Sequence, residues 1–132
     1  MNVNQKEIDE LIFRLNGAAM AVLNVIGHGL REKTYERALC VELTHLGIHF
    51  DQQKCYPVFY RDVKVDEYIP DLEVENTLLL DTKVVPKIGD LEIGQILNFL
   101  KISNKTVGLI QNFKHSKLEW RKVTLHTSLS ES

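Results

Sequence analysis

Residues 68–85 read YIPDLEVENTLLLDTKVV, and this stretch decides the fold. Ile69 to Val74 is one β-like run with Pro70 and Asp71 near its start, Glu75-Asn76 is a tight turn, and Thr77 to Val85 is the antiparallel partner. Side chains alternate between the faces of a strand, so Asp81 and Lys83 project from the same face. Leu78, Leu79 and Leu80 lead straight into Asp81, which marks a strand that should be buried. Charge at the end of a buried strand persists only where it is paired or holds a metal ion, so this stretch is the leading candidate for a site.

Upstream, Ile48 to Val58 alternates as a strand, with Pro57 implying an edge position or a bulge, and Arg61-Asp62 turns the chain into Val63 to Tyr68. Further back, Ile8, Leu11, Ile12, Leu15, Ala18, Ala19, Val22, Leu23 and Ile26 keep the spacing of an amphipathic helix that ends near Gly27-His28-Gly29. A second helix is predicted from Glu32 to Leu46, stopped by Gly47. Downstream, Pro86 to Asp90 breaks the pattern, Leu91 to Ser103 is helical, Val107 to Gln111 is a buried inner strand, and Glu119 to Leu125 is the last strand. Residues 126–132 read as a frayed polar tail. The predicted order is α-α-β-β-β-β-α-β-β, an α/β sandwich around a mixed sheet, with consecutive strands forming a meander before the third helix.

With 44% hydrophobic and 26% charged residues over 132 positions, the chain has the balance of one globular domain spanning 1–132. Its formal net charge of -2, from 16 Lys and Arg against 18 Asp and Glu, excludes a global positive field, so a phosphate partner must be met by a local patch. Cys40 and Cys55 show neither C-x-x-C spacing nor zinc-finger histidines and read as reduced thiols of a cytoplasmic protein. No leader pattern opens the sequence and no apolar run approaches the ~20 residues of a membrane span, so no membrane association is expected. His28, His45, His49, His115 and His126 have no Ser or Cys partner that suggests nucleophilic catalysis. Gly27-His28-Gly29 is too short for a nucleotide-binding loop.

Two acids and a lysine at the ends of adjacent strands suit metal-assisted phosphoryl chemistry. Asp71 and Asp81 can share a divalent cation, since Mg²⁺ is usually held by one or two carboxylates together with water and phosphate oxygens. Lys83 then serves as a point charge on the phosphate or helps deprotonate the attacking water.

Pro70-Asp71 followed by Asp81-Thr82-Lys83 resembles the PD-(D/E)XK signature of the metal-dependent nuclease superfamily. Gly29-Leu30-Arg31-Glu32-Lys33-Thr34-Tyr35 is similar to the motif of the bacterial GxxExxY family within that superfamily. The likeness runs from Asn16-Gly17-Ala18-Ala19 through Gln95-Ile96-Leu97-Asn98-Phe99-Leu100 to Gly108-Leu109-Ile110-Gln111-Asn112-Phe113. It implies a restriction-endonuclease-like αβββαβ core, a mixed central sheet flanked by helices. It also implies a nuclease that uses Mg²⁺, with Mn²⁺ as a substitute, on nucleic acid, DNA ahead of RNA; a homodimer is compatible, because related nucleases often cut as dimers. Carried over by position, Glu32 is the helical acid that reaches the metal, Asp71 and Asp81 are its strand ligands, Lys83 is the catalytic lysine and Gln95 a polar helix residue facing the cleft. Three positions depart from the family pattern. Asp81-Thr82-Lys83 stands where Glu-Leu-Lys is more usual, Phe99 replaces a frequent Tyr, and Glu92 replaces an expected His and makes the cleft more acidic.

Each of these residues also has a plainer reading. Asp71 can simply begin a turn, Asp81 and Lys83 can be a strand-end salt bridge, Glu32 can be a first-turn acid on the helix dipole, and Gln95 can be solvated. Tyr35, Leu39, Ile96 and Phe99 read most simply as core. Lys114, His115, Lys117, Arg121 and Lys122 around Trp120, and Arg31, Lys33 and Arg37 on the second helix, form either a phosphate-tracking groove with Trp120 stacking on bases or two solvated faces. At the level of the whole chain, the alternatives to an active nuclease are a catalytically weak nuclease-fold module that binds nucleic acid or a protein partner, and an oligomeric scaffold without a ligand.

Overall fold

The computed structural model describes residues 4–126, so residues 127–132 of the tail expected to fray lie outside the described residues. Helix α1 (Gln5–Ile26) begins ahead of its first apolar position because Asn4 and Glu7 cap it reciprocally. The Asn4 side chain accepts from the Glu7 amide at 2.9 Å, and the Glu7 carboxylate accepts from the Asn4 amide at 3.2 Å. Helix α2 (Glu32–Leu46) ends on Gly47, whose φ of 71° is the left-handed value that glycine adopts without strain.

Among the described residues there follow β1 (Phe50–Asp51), β2 (Tyr56–Tyr60), β3 (Val63–Tyr68), β4 (Leu72–Val74), β5 (Leu78–Lys83), α3 (Asp90–Ser103), β6 (Val107–Asn112) and β7 (Glu119–Thr124). The main sheet has the order β1-β4-β5-β6-β7, with β5 and β6 parallel and the other neighbours antiparallel. The fold is therefore α/β with a mixed sheet flanked by helices, consistent with a restriction-endonuclease-like core.

Two expectations about the strands need correction. The single strand expected from Ile48 to Val58 is two strands: β1 pairs with β4, whereas β2 leaves the main sheet and pairs with β3 in a separate two-stranded ribbon. The exposed run Gln53-Lys54-Cys55 between them has nothing to bury, and Pro57 has no amide to offer a second neighbour, which suits an isolated ribbon with a register shift at Val58/Phe59. The meander is likewise interrupted between β3 and β4, which lie in different sheets. Both hairpin turns are where they were predicted. Arg61 and Asp62 have φ of 49° and 65°, and Glu75 and Asn76 each 54°, the paired positive values that match strand twist.

The main sheet's two faces are unequal. Leu72, Val74, Leu78, Leu80 and Leu109 face α1 and α2, meeting Leu15, Ala19, Tyr35, Leu39 and Leu43 in the larger core. Ile88, Ile96, Ile110 and Val123 form a smaller core beneath α3. A buried polar pair pins α1 to the sheet, where the Gln111 amide donates to the Leu15 carbonyl at 3.1 Å and to the Asn16 side chain at 3.0 Å. Among the described residues no helix is long and apolar enough to cross a membrane.

Helix α3 sits against the sheet at Gly108. A Cβ added there would lie 2.5 Å and 2.9 Å from the Cδ1 and Cγ1 atoms of Ile96. Gly108→Ala is therefore expected to cost about 1–3 kcal/mol through overpacking, read as a fall in the denaturant midpoint without a change in slope.

Candidate active site

The site lies on the α3 face of the sheet. Antiparallel register sets Leu72 opposite Leu80, and one further step sets Asp71 against Asp81. Alternation then gives Asp81 and Lys83 the same face as Leu79, while Thr82 points to the other side. The Lys83 ammonium is 3.4 Å from Asp81 Oδ2, and both side chains are mostly buried, at 17% and 13% exposed. Lys83 also donates to Gln95 Oε1 at 3.4 Å, which brings α3 into the cluster. Asp71 Oδ2 accepts from the Thr82 amide at 3.0 Å and from the Thr82 hydroxyl at 3.1 Å, so Thr82 fixes the first aspartate while its neighbours carry the second acid and the lysine.

Asp81 is the group under most electrostatic pressure. Among the described residues its buried Oδ2 has no hydrogen-bond partner, since the contact with Lys83 has the distance of an ion pair and not the geometry of a hydrogen bond. Burial first, then the charge and hydrogen bonding of Asp71, push its pKa up to about 7, with Lys83 pulling the other way.

The GxxExxY stretch has a physical job that sequence alone did not specify. Gly29 takes a φ of 83°, and the Tyr35 hydroxyl bridges the turn by donating to the Gly27 carbonyl at 2.8 Å and accepting from the Leu30 amide at 2.9 Å. The Tyr35 ring stacks on Phe113 with centroids 4.5 Å apart, and the Gly29 amide donates to the Phe113 carbonyl at 3.1 Å. Phe113 in turn donates its amide to the Lys83 carbonyl at 2.9 Å. The first turn of α2 is thereby tied to the end of β5. Glu32 is exposed there, yet partial desolvation raises its pKa, with Lys83 opposing the shift and Asp71 and Glu36 adding to it. Among the described residues no three His, Cys, Asp or Glu side chains form a group able to hold a metal ion.

Several other residues have different surroundings from those expected. Glu92 accepts from the Gly89 amide at 2.7 Å and caps α3. Trp120 pairs with Gln111, which pairs with Thr82, so it lies on the sheet face away from Asp81 and is not placed to stack on a base beside the acids. Lys122 reaches Asp9 at 2.9 Å on α1, and Lys33 pairs with Glu36 at 3.2 Å, which breaks up both basic clusters. Tyr35, Leu39 and Ile96 are fully buried core, whereas Phe99 is half-buried. An open groove of about 1110 Å³ beside α1, lined by Asp9, Phe13, Arg14 and Glu75 among others, shares no residue with the acid cluster.

Two residues not expected at the site are Glu73 and the Tyr56 that binds it. Glu73 is completely buried on the Asp81 face, accepts from the Tyr56 hydroxyl, and lies 3.5 Å from the Lys54 ammonium and 3.6 Å from that of Lys105. Its signal was a lone acid inside the short apolar strand Leu72-Glu73-Val74.

No curated protein and no solved structure matches the chain. The model of one family does match it, over residues 9–123, a span that contains Glu32, Asp71, Asp81, Lys83 and Gln95. With that match covering most of its length, the chain belongs to the PD-(D/E)XK nuclease superfamily.

Proposed function

We propose that the protein hydrolyses phosphodiester bonds of nucleic acid, DNA ahead of RNA, as a Mg²⁺-dependent enzyme of the GxxExxY type in which Mn²⁺ can substitute. Superfamily membership implies nuclease activity, binding of nucleic acid and use of divalent metal ions. The observation that carries the reading is the buried Asp81 oxygen that lacks a hydrogen-bond partner beside Asp71 and Lys83. A buried carboxylate with an unused lone pair is costly in water-free surroundings and is relieved by a cation, which is the fit expected of a metal ligand.

Asp71 and Asp81 would hold the ion, with Glu32 approaching from α2. The ion would supply Lewis acidity at the phosphate and a nucleophile at neutral pH. Thr82 keeps Asp71 in place, and Lys83, steadied by Gln95, offers an ammonium to the phosphate oxygen on which charge develops. Two free thiols, Cys40 and Cys55, support a cytoplasmic location.

The test is incubation of single- and double-stranded DNA and RNA with Mg²⁺, Mn²⁺ or EDTA. Cutting that requires the metal, and is strongest on DNA, is the expected result. Absence of cutting while calorimetry still registers bound Mn²⁺ would overturn the enzyme and leave a binding module.

A further inference from the structure

The β2–β3 ribbon presents a tyrosine hydroxyl that neither the fold nor the acid cluster uses. Tyr56 and Tyr68 are paired across the open end of the ribbon, so their side chains leave the same ribbon face. Tyr56 spends its hydroxyl on the buried carboxylate of Glu73, which pins this end of the ribbon to β4. Tyr68 instead lays its ring on Phe99 of α3, with centroids 4.0 Å apart and planes 13° from parallel.

That stack puts Tyr68 at the cluster. Phe99 follows Gln95 by one helical turn on the same side of α3, and Gln95 accepts from Lys83. Tyr68 also stands three positions ahead of Asp71 in the chain. Its ring lies on the Phe99 face and its strand end is anchored through Tyr56, yet among the described residues no group receives its hydroxyl. Burial first, then the charges of Asp81 and Asp71, hold that hydroxyl in its protonated form well above the usual phenol range. It is a donor in a half-buried position, on a ring stacked against the helix that carries Gln95.

We propose that Tyr68 is a substrate-contacting residue whose hydroxyl donates to a phosphate oxygen of the bound nucleic-acid strand, on the ribbon side of Lys83. The role rests on the nuclease reading above. The ribbon gives the site a wall of its own, and the docked geometry means that little ordering is needed when the strand arrives.

Tyr68→Phe tests this, because it retains the ring stack and deletes only the donor. Cleavage of a DNA oligonucleotide with Mg²⁺ is followed together with the affinity of the same labelled oligonucleotide in Ca²⁺. The expected result is a roughly tenfold to hundredfold rise in both KM and Kd, with kcat within about threefold and the melting temperature unchanged. A variant that cleaves and binds like wild type overturns the contact. A variant whose losses track a lowered melting temperature also overturns it, since the hydroxyl would then be structural. Wild-type protein that cuts no substrate overturns the nuclease reading, and this role with it.

Discussion

Asp81→Asn is expected to abolish divalent-metal binding and cleavage while making the metal-free protein more stable at pH 8. The carboxylate is buried, faces Asp71, and has its pKa pushed up to about 7. In the unfolded chain an aspartate titrates near 3.9, so the folded state binds this proton more tightly. Stability contributed by the protonated group is full below about pH 4, is lost progressively as pH rises toward 7, and levels off above it. The loss is on the order of a few kcal/mol, and the neutral amide of the variant removes most of it. Thermal melts in EDTA from pH 4 to 9 should therefore slope downward through that window for wild type and run nearly flat for Asp81→Asn. Calorimetry with Mn²⁺ should register heat for wild type only. A variant that binds metal normally, or melts below wild type at pH 8, would assign Asp81 to the salt bridge alone.

Lys83→Ala is expected to cut cleavage by roughly a hundredfold to a thousandfold while leaving metal affinity within a few-fold. The ammonium touches Asp81 and Gln95, each at 3.4 Å, and so lines the site without adding a ligand for a cation. Its removal also takes away the charge that pulls the Asp81 pKa down. The variant should melt below wild type at pH 8, where wild-type Asp81 is ionised against Lys83 and the variant must leave that charge unpaired or take up a proton, and recover at pH 5, where Asp81 is protonated in both. Equal losses of metal affinity and cleavage would make Lys83 a structural partner of the acids.

The hairpin that brings Asp71 to Asp81 was legible because every signal in residues 68–85 agrees: three leucines, a turn pair able to adopt positive φ, and period-two placement of Asp81 and Lys83. Helices α1 and α2 were legible from apolar spacing and terminal glycines. Position along the chain says less about partners in space. The docking of Tyr35 on Phe113 depends on where β6 ends, and the Tyr68 stack depends on β2 and β3 leaving the sheet. The alternation through Ile48 to Val58 carries no mark of that departure, because strand period is the same in a ribbon as in a sheet. Glu73 was passed over for a related reason. Three residues of strand are too few to separate a charge that faces solvent from one enclosed by Tyr56, Lys54 and Lys105.

The ribbon has a further consequence for engineering. Its near end is fastened by Tyr56 and Tyr68, whereas the turn at Arg61-Asp62 and the flanking Phe59, Tyr60, Val63 and Val65 are exposed. Because among the described residues the strand ladders of β2 and β3 are with each other alone, residues inserted at that turn need not disturb the register of any strand in the main sheet. The arm can be lengthened, shortened or exchanged as a cassette without rewriting the framework that carries the acids.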